Sequence, residues 1–187
     1  MADSSSTIRT RGWAESMSFL KCRRSPNGSR SATSPYDCVK SKRILELGCA
    51  SLAKRMSDEK SYVRRLDGIS RALNGLALLA SGNKDYLLLI QREAKWAADF
   101  TTDGYLSWYY GFMMTFVAEY VMATGDTSVM PGLTRLALET ARGQSGVGTW
   151  GHRFTQNGGN LSGYGAMNAP GLPLTIGMVL AREAGVK

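Results

Sequence analysis

The chain has 187 residues, of which 43% are hydrophobic and 20% are charged, and it carries a formal net charge of +8. This composition excludes a wholly disordered chain, and the length suits one domain. The excess charge lies in residues 1–45, with nine Lys/Arg against three Asp/Glu, whereas residues 46–187 have fourteen against twelve. The larger part is nearly neutral, which argues against a nucleic-acid partner and for a solvated basic segment.

Residues 1–43 differ in composition from the rest of the chain. They are basic and rich in serine, arginine and glycine, with turn-forming runs such as Arg24-Ser25-Pro26-Asn27-Gly28-Ser29. We predict a largely disordered N-terminal segment over 1–43 and a folded domain over 44–187. The first residues lack a basic start followed by an apolar stretch, so no secretory signal is predicted and the cytoplasm is the default location.

The residue pattern indicates neither a metal site nor a cofactor-binding site. Cys22, Cys38 and Cys49 form no CxxC pair and are odd in number, so we predict neither a disulfide framework nor a metal site. The glycines between 143 and 165 form neither a P-loop nor a dinucleotide fingerprint, so no cofactor is predicted.

Hydrophobic periodicity predicts an all-α chain. Asp85, Asp126 and Asn168 are the predicted N-caps of three helices. Gly82 is predicted to end its helix in a left-handed conformation, and Gly125 and Gly185 are predicted to mark two further helix ends. The predicted helices cover residues 44–65, 69–81, 86–100, 108–124, 129–142 and 168–184.

The stretch from Gly104 to Gly125 requires a membrane test because Glu119 is its only charge. Its 22 residues are long enough to span a bilayer. An acid in the middle of a span is costly, and glycines bound the segment. We therefore predict a buried core helix and no membrane span.

Similar helix ends recur along the sequence. Ala80-Ser81-Gly82-Asn83 and Ala123-Thr124-Gly125-Asp126 lie 43 residues apart, and a third apolar helix ends at Gly185. The ends at Gly82 and Gly125 each separate an apolar helix from an amphipathic helix that follows it. This spacing predicts an αα-hairpin repeat, with apolar helices in an inner layer, amphipathic helices outside, and the long loops on one rim.

The enlarged third loop contains Gln144, Gly148 and Trp150 in the pattern Q-x3-G-x-W. This pattern resembles the QW repeat of squalene cyclases and related α/α toroids. The resemblance implies that Gln144 caps neighbouring helix ends and stacks on Trp150, which braces the barrel. It implies a partial α/α toroid, because a complete toroid has about twice the helices predicted here. The chain would then be an arc, a fragment or a module that needs a partner.

Over residues 70–187 the chain also resembles an uncharacterised bacterial domain family with the same predicted fold. That resemblance implies a fold and no mechanism. The DxDD acid of the cyclases and the zinc ligand sets of other toroid enzymes are not found in the sequence. The matching stretches include Thr124-Gly125-Asp126, Gly148-Thr149-Trp150-Gly151-His152, Gly163-Tyr164-Gly165 and Met167-Asn168-Ala169-Pro170-Gly171.

His152, the only histidine, is the leading candidate for chemistry. It could hold the glycine loop closed, bind a ligand, or act as a base with Glu119 or Asp103 as its orienting carboxylate. Trp150 is predicted mainly as a brace, together with Gln144, Gly148 and Asn168. Candidate ligand contacts are His152, Trp150, Tyr164 and Trp108.

Two functions remain open from the sequence. The first is a non-catalytic toroid-like repeat module, a scaffold or ligand-binding domain with the glycine-rich loop 143–169 on its functional rim. Its partners would be further copies of the chain, the rest of a larger protein, or a peptide, glycan or small apolar ligand. The alternative is a toroid-type hydrolase, lyase or cyclase that uses His152 with Glu119 or Asp103.

Overall fold

The computed structural model describes residues 38–58, 67–102, 106–156, 158–161 and 165–187. Within these ranges the chain is helical, as predicted, and its one β-type contact is an isolated bridge between Ser145 and Gly158. The α-helices are α1 (Val39–Ser57), α2 (Asp67–Ala80), α3 (Leu87–Asp99), α4 (Leu106–Thr124), α5 (Met130–Arg142) and α6 (Asn168–Glu183), with short 3₁₀ helices at Lys84–Tyr86 and Thr127–Val129.

The helices contact one another in two rows. In the central row, α4 packs between α2 and α6. In the covering row, α3 contacts both α1 and α5. Each covering helix also packs against helices of the central row: α1 against α2, α3 against α2 and α4, and α5 against α4 and α6. The core lies between the two rows.

Helix α4 is central because glycines let its neighbours approach closely. A Cβ atom on Gly75 of α2 would lie 2.3 Å from the Phe116 ring, so only glycine fits there. A Cβ atom on Gly111 of α4 would lie 2.4 Å from the Pro173 carbonyl carbon of α6. Within the described ranges, none of the helices is both long and apolar enough to cross a membrane.

Short turns lie at one end of the rows and longer connections at the other. Gly82 follows α2 and Gly125 follows α4, with φ angles of 67° and 73°, so both have a left-handed conformation, as predicted for Gly82. The last residues of α1, α3 and α5 lie at the opposite end, and the longest stretch of sequence that follows one of them is the glycine-rich loop between Arg142 and Asn168.

Three local predictions were wrong. Helix α1 begins at Val39 and not at 44, and it ends at Ser57 because Asp58 has an extended backbone; residues 59–65 of the predicted helix lie outside the described residues. Asn83, and not the predicted Asp85, caps the turn before α3, because the Asn83 side chain accepts a hydrogen bond from the Asp85 amide. Asn168 lies inside α6, and the preceding Met167 makes no side-chain cap. The Met167 amide instead donates to the Trp150 carbonyl, so a tertiary contact fixes this helix start.

The segments around α3 and α5 have the same element order. Each has a 3₁₀ helix followed directly by an α-helix, and the second segment begins at Thr127, 43 residues after Lys84. Asn83 and Asp126, also 43 apart, each accept a bond from the amide two residues later. The predicted cap at Asp126 is therefore formed, but it serves the 3₁₀ turn Thr127–Val129, whereas α5 itself follows Val129 without a side-chain cap.

The same spacing relates two arginines of the covering row. Arg92 of α3 donates to the Met56 carbonyl near the end of α1. Arg135 of α5 donates to the Ala98 and Phe100 carbonyls at the end of α3. Carbonyls in the last turn of a helix have no partner within that helix. Each arginine therefore satisfies the end of the preceding covering helix.

The Asp126 carboxylate accepts hydrogen bonds from α4, from α3 and from the turn that follows it. The Tyr120 hydroxyl donates to Oδ2 at 2.6 Å, and Gln91 Nε2 donates to the same oxygen at 3.2 Å. The Ser128 amide donates to Oδ1 at 2.9 Å. These bonds, with that of Tyr120 the strongest, hold the pKa of Asp126 well below its usual range. Burial, together with this bond, raises the pKa of Tyr120 to about 12.

We expect the stabilisation from the Asp126 carboxylate to be lost in acid. Its folded-state pKa is lower than the unfolded value of about 3.9, so the contribution is complete well above that value and declines as the pH falls through the folded-state pKa. Asp126→Asn keeps an acceptor for the cap but removes the charge that strengthens the bond from Tyr120, so it should lower the free energy of unfolding by about 1 kcal/mol at neutral pH, and the deficit should shrink below about pH 4. Urea unfolding of both proteins across this range measures it; a deficit independent of pH would contradict the expectation.

Candidate functional site

The glycine-rich loop is fastened to the start of α4 through His152. The Ser107 hydroxyl donates to the His152 carbonyl at 2.6 Å, and the Trp108 indole N–H donates to His152 Nδ1 at 3.1 Å. The two rings are stacked, with centroids 5.7 Å apart and planes 27° from parallel. The structure thus brings together two predicted ligand-contact residues, Trp108 and His152.

The hydrogen bond from Trp108 assigns the tautomer of His152. A neutral imidazole has one nitrogen that accepts and one that carries hydrogen. Because Nδ1 accepts from the indole, the hydrogen of the neutral ring lies on Nε2. The nitrogen that faces α4 is therefore occupied by a hydrogen bond that holds the loop in place.

The proposed pairing of His152 with Glu119 is not formed. His152 lies against Trp108, and Glu119 is eleven residues further along α4, or about 16 Å at 1.5 Å per residue. An orienting carboxylate must lie within hydrogen-bond reach of the base. Asp103, the other carboxylate named from the sequence, lies outside the described residues, as does Tyr164.

Trp150 lies inside the protein beneath the loop. Its side chain is 5% exposed, and its indole N–H donates to the Thr140 carbonyl of α5 at 2.9 Å. Its own carbonyl accepts the Met167 amide at 3.0 Å. Trp150 therefore joins the end of α5, the loop and the start of α6, and little of its ring is available to a ligand.

Gln144 and Gly148 belong to a tight turn at the beginning of the loop. Gln144 Nε2 donates to the Gly148 carbonyl at 3.3 Å, and the Ser145 amide donates to the Thr149 carbonyl at 2.9 Å. Gly148 has φ 78°, a left-handed conformation that glycine adopts without strain. The hydrogen bond from the Gln144 side chain to Gly148 thus closes the turn to which Gln144 itself belongs.

Phe154 anchors the second half of the loop. Its ring packs edge to face on Tyr110 of α4, with centroids 5.5 Å apart. It also covers Gly143, where a Cβ atom would lie 2.3 Å from the phenyl ring. The Thr155 hydroxyl donates to the Gln144 carbonyl at 2.7 Å. The loop therefore folds back on its own start.

A polar cluster beside the loop was not predicted from the sequence. The Tyr110 hydroxyl donates to Glu139 at 2.5 Å, and Arg135 lies 3.3 Å from the same carboxylate. Burial and the bond to Glu139 raise the pKa of Tyr110 to about 12. The four-residue spacing of Arg135 and Glu139 in the sequence indicates only an exposed pair on a helix surface. The signal that could have revealed more is the recurrence of arginine at 92 and 135.

Within the described residues, one side of α4 lacks a helical neighbour. At 100° per residue, Tyr109 and Met113 face α2, Gly111 and Met114 face α6, and Tyr110 faces α5. The remaining side is lined by half-buried residues, which we call the α4 row: Trp108, Phe112, Thr115, Glu119 and Met122.

Glu119 is the only charged member of the α4 row. In the described part of the chain it has no hydrogen bond or ion pair, and burial raises the pKa of its carboxyl group. A partly desolvated acid among apolar side chains favours a positively charged or hydrogen-bond-donating partner. No group of three or more His, Cys, Asp or Glu side chains that could hold a metal occurs among the described residues.

Comparisons with known proteins place the chain in a family. No curated protein and no solved structure matches it significantly. The model of a family described as a domain of unknown function, DUF6288, matches residues 41–187. This match begins at the third residue of α1 and continues through α6, including the glycine-rich loop and the α4 row. The chain therefore belongs to the DUF6288 family.

Proposed function

We propose that this chain is a non-catalytic, toroid-like helical repeat module that binds a peptide along the α4 row. The observation that carries the proposal is the row itself. It is an apolar side of the central helix, and its one carboxylate, Glu119, has no partner among the described residues. The braced glycine-rich loop forms the rim at its Trp108 end.

The repeat part of the proposal is supported by the 43-residue spacing of the helices, caps and arginines in the covering row. The alternation of central and covering helices is the arrangement expected of an arc of an α/α toroid. In such an arc the α4 row lies on the inner surface, where a ligand would be bound.

The ligand class follows from the size and chemistry of the row. From Trp108 to Met122 is fourteen residues of helix, or about 21 Å. An extended peptide of about six residues has this length. Apolar side chains of the peptide would pack on Phe112 and Met122, and a lysine or arginine would pair with Glu119. A glycan matches this row less well, since few of its residues are polar.

The non-catalytic part rests on His152. Its Nδ1 atom and its carbonyl both bond to α4, so the only histidine of the chain acts as a brace for the loop. His152→Ala should lower the free energy of unfolding by about 1–2 kcal/mol, because the Trp108 N–H loses its acceptor. It should leave peptide binding intact once the protein is folded.

Selection from a displayed hexapeptide library tests the binding site. We expect enriched peptides to combine aromatic or aliphatic residues with lysine or arginine. Glu119→Lys should weaken their binding at least tenfold, while the same charge change at exposed Glu183 should not. Failure to enrich any peptide, or equal binding by both variants, would contradict the proposed site. Turnover of a peptide that is lost in His152→Ala without loss of stability would contradict a non-catalytic role.

A further inference from the structure

Two apolar surfaces at opposite ends of the helix rows lack a neighbour in the described structure. The leading edge consists of Ile44 and Leu47 of α1 with Leu73 and Ala77 of α2, all exposed. The trailing edge consists of Leu172, Ile176 and Val179 of α6, which are 62%, 45% and 57% exposed. Exposed apolar surfaces of this kind commonly mark interaction sites.

The leading edge occupies a position that is buried elsewhere in the same chain. Leu47 is 52% exposed, whereas Ile90 and Leu133, which follow it at successive intervals of 43 residues, are 0% exposed. These two side chains are covered because α3 and α5 each pack against two helices of the central row. Among the described contacts, α1 packs against α2 alone in that row. What Leu47 lacks is therefore a central-row helix before α2.

The trailing edge has the complementary gap. Helix α6 packs on α4 through Pro173, Leu174 and Gly177. Leu172, Ile176 and Val179 are turned away from that contact, since residues two apart on a helix differ by about 200°. Within the described chain, α6 thus has a neighbour in its row on one side only.

The covering row has a matching gap beside α6. A groove of about 600 Å³ between α5 and α6 is lined mainly by apolar groups, including Leu138, Ala141 and Met178. Each covering helix packs against the preceding covering helix and the preceding central helix, as α3 does with α1 and α2. The next covering helix of the series would therefore lie in this groove.

We propose that the protein associates head to tail, with the leading edge of one copy packed against the trailing edge of another. Helix α1 of the second copy would lie in the groove between α5 and α6. Its α2 would pack on Leu172, Ile176 and Val179, as α4 packs on α2 within one copy. The contact would extend both rows, because α1 of the second copy continues the covering row and its α2 continues the central row. Such an interface uses different surfaces on the two partners and is heterologous.

Variants that place a charge on one edge test this arrangement. Leu47→Glu alters the leading edge and Val179→Glu the trailing edge, both at exposed positions where folding should be retained. Light scattering coupled to gel filtration should show the wild type with at least twice the mass of one chain, and each variant alone with the mass of one chain. Leu88→Glu, an exposed position outside both edges, should associate like the wild type.

Mixing the two edge variants distinguishes a head-to-tail contact from a symmetric one. One intact pair of edges remains in the mixture, so Leu47→Glu and Val179→Glu together should give a species with the mass of two chains. A monomeric wild type would overturn the proposal and assign the edges to another segment or another protein. Continued association of either variant alone, or a monomeric mixture of folded variants, would also overturn it. Peptide binding to the α4 row is measured separately and does not depend on this result.

Discussion

Replacing Trp150 with alanine should lower the free energy of unfolding by about 3–5 kcal/mol, the largest effect expected for a loop residue. The side chain is 5% exposed, and its removal would leave a large cavity where α5, the loop and α6 meet. The Thr140 carbonyl would also lose its hydrogen-bond donor. Thermal and urea unfolding, followed by circular dichroism, measure the loss.

Trp150→Phe is the matched control. Phenylalanine retains most of the buried ring and loses the indole N–H, so the expected cost is about 1–2 kcal/mol. The difference in the free energy of unfolding between the two variants separates the contribution of the buried ring from that of the indole hydrogen bond. Wild-type stability in Trp150→Ala would show that the loop is held without this residue and would refute its role as a brace.

Replacing Glu93 with leucine should lower the free energy of unfolding by about 3–5 kcal/mol, because it removes the buried carboxylate that pairs with two arginines. Glu93 of α3 is 0% exposed and pairs with Arg71 of α2 at 2.6 Å and Arg92 at 2.8 Å. The Arg71 guanidinium also lies 3.8 Å above the Trp96 ring. This cluster joins the two rows at a position where α5 has an apolar residue, Leu136, 43 residues later.

The double variant Arg71→Met with Glu93→Leu tests that explanation. Removing both partners of a buried ion pair costs less than removing one, so the double variant should be more stable than Glu93→Leu alone. Chemical unfolding gives the free energy of unfolding of the wild type, both single variants and the double variant, which together form a double-mutant cycle. Additive losses in the double variant would show that the pair is not energetically coupled.

The helical core could be predicted from the sequence because its signals are local. The all-round apolar pattern of α4 and the left-handed glycines after α2 and α4 each depend on a few consecutive residues. The Asp126 cap is equally local, since its acceptor serves an amide two residues away. Features of this kind depend only on nearby residues, and the structure confirms the local ones named here.

The contacts that form the candidate site could not be predicted in the same way. His152 and Trp108 are 44 residues apart, and no periodicity relates them. Asn168 has the composition of a cap, yet the bond from Met167 to Trp150 determines where α6 begins. Glu119 was named because it is an acid, whereas its actual setting, an apolar side of α4, depends on how α2 and α6 flank that helix.

The most direct test of the account is the protonation of His152, the only histidine in the chain. Nitrogen-15 NMR at about pH 8, where an ordinary imidazole is neutral, reports which ring nitrogen carries hydrogen. We predict hydrogen on Nε2 and an accepting Nδ1, with a coupling from the Trp108 indole N–H across the hydrogen bond. Hydrogen on Nδ1, or rapid exchange between the two tautomers, would contradict the account, because the loop would then not be held on α4 by this residue.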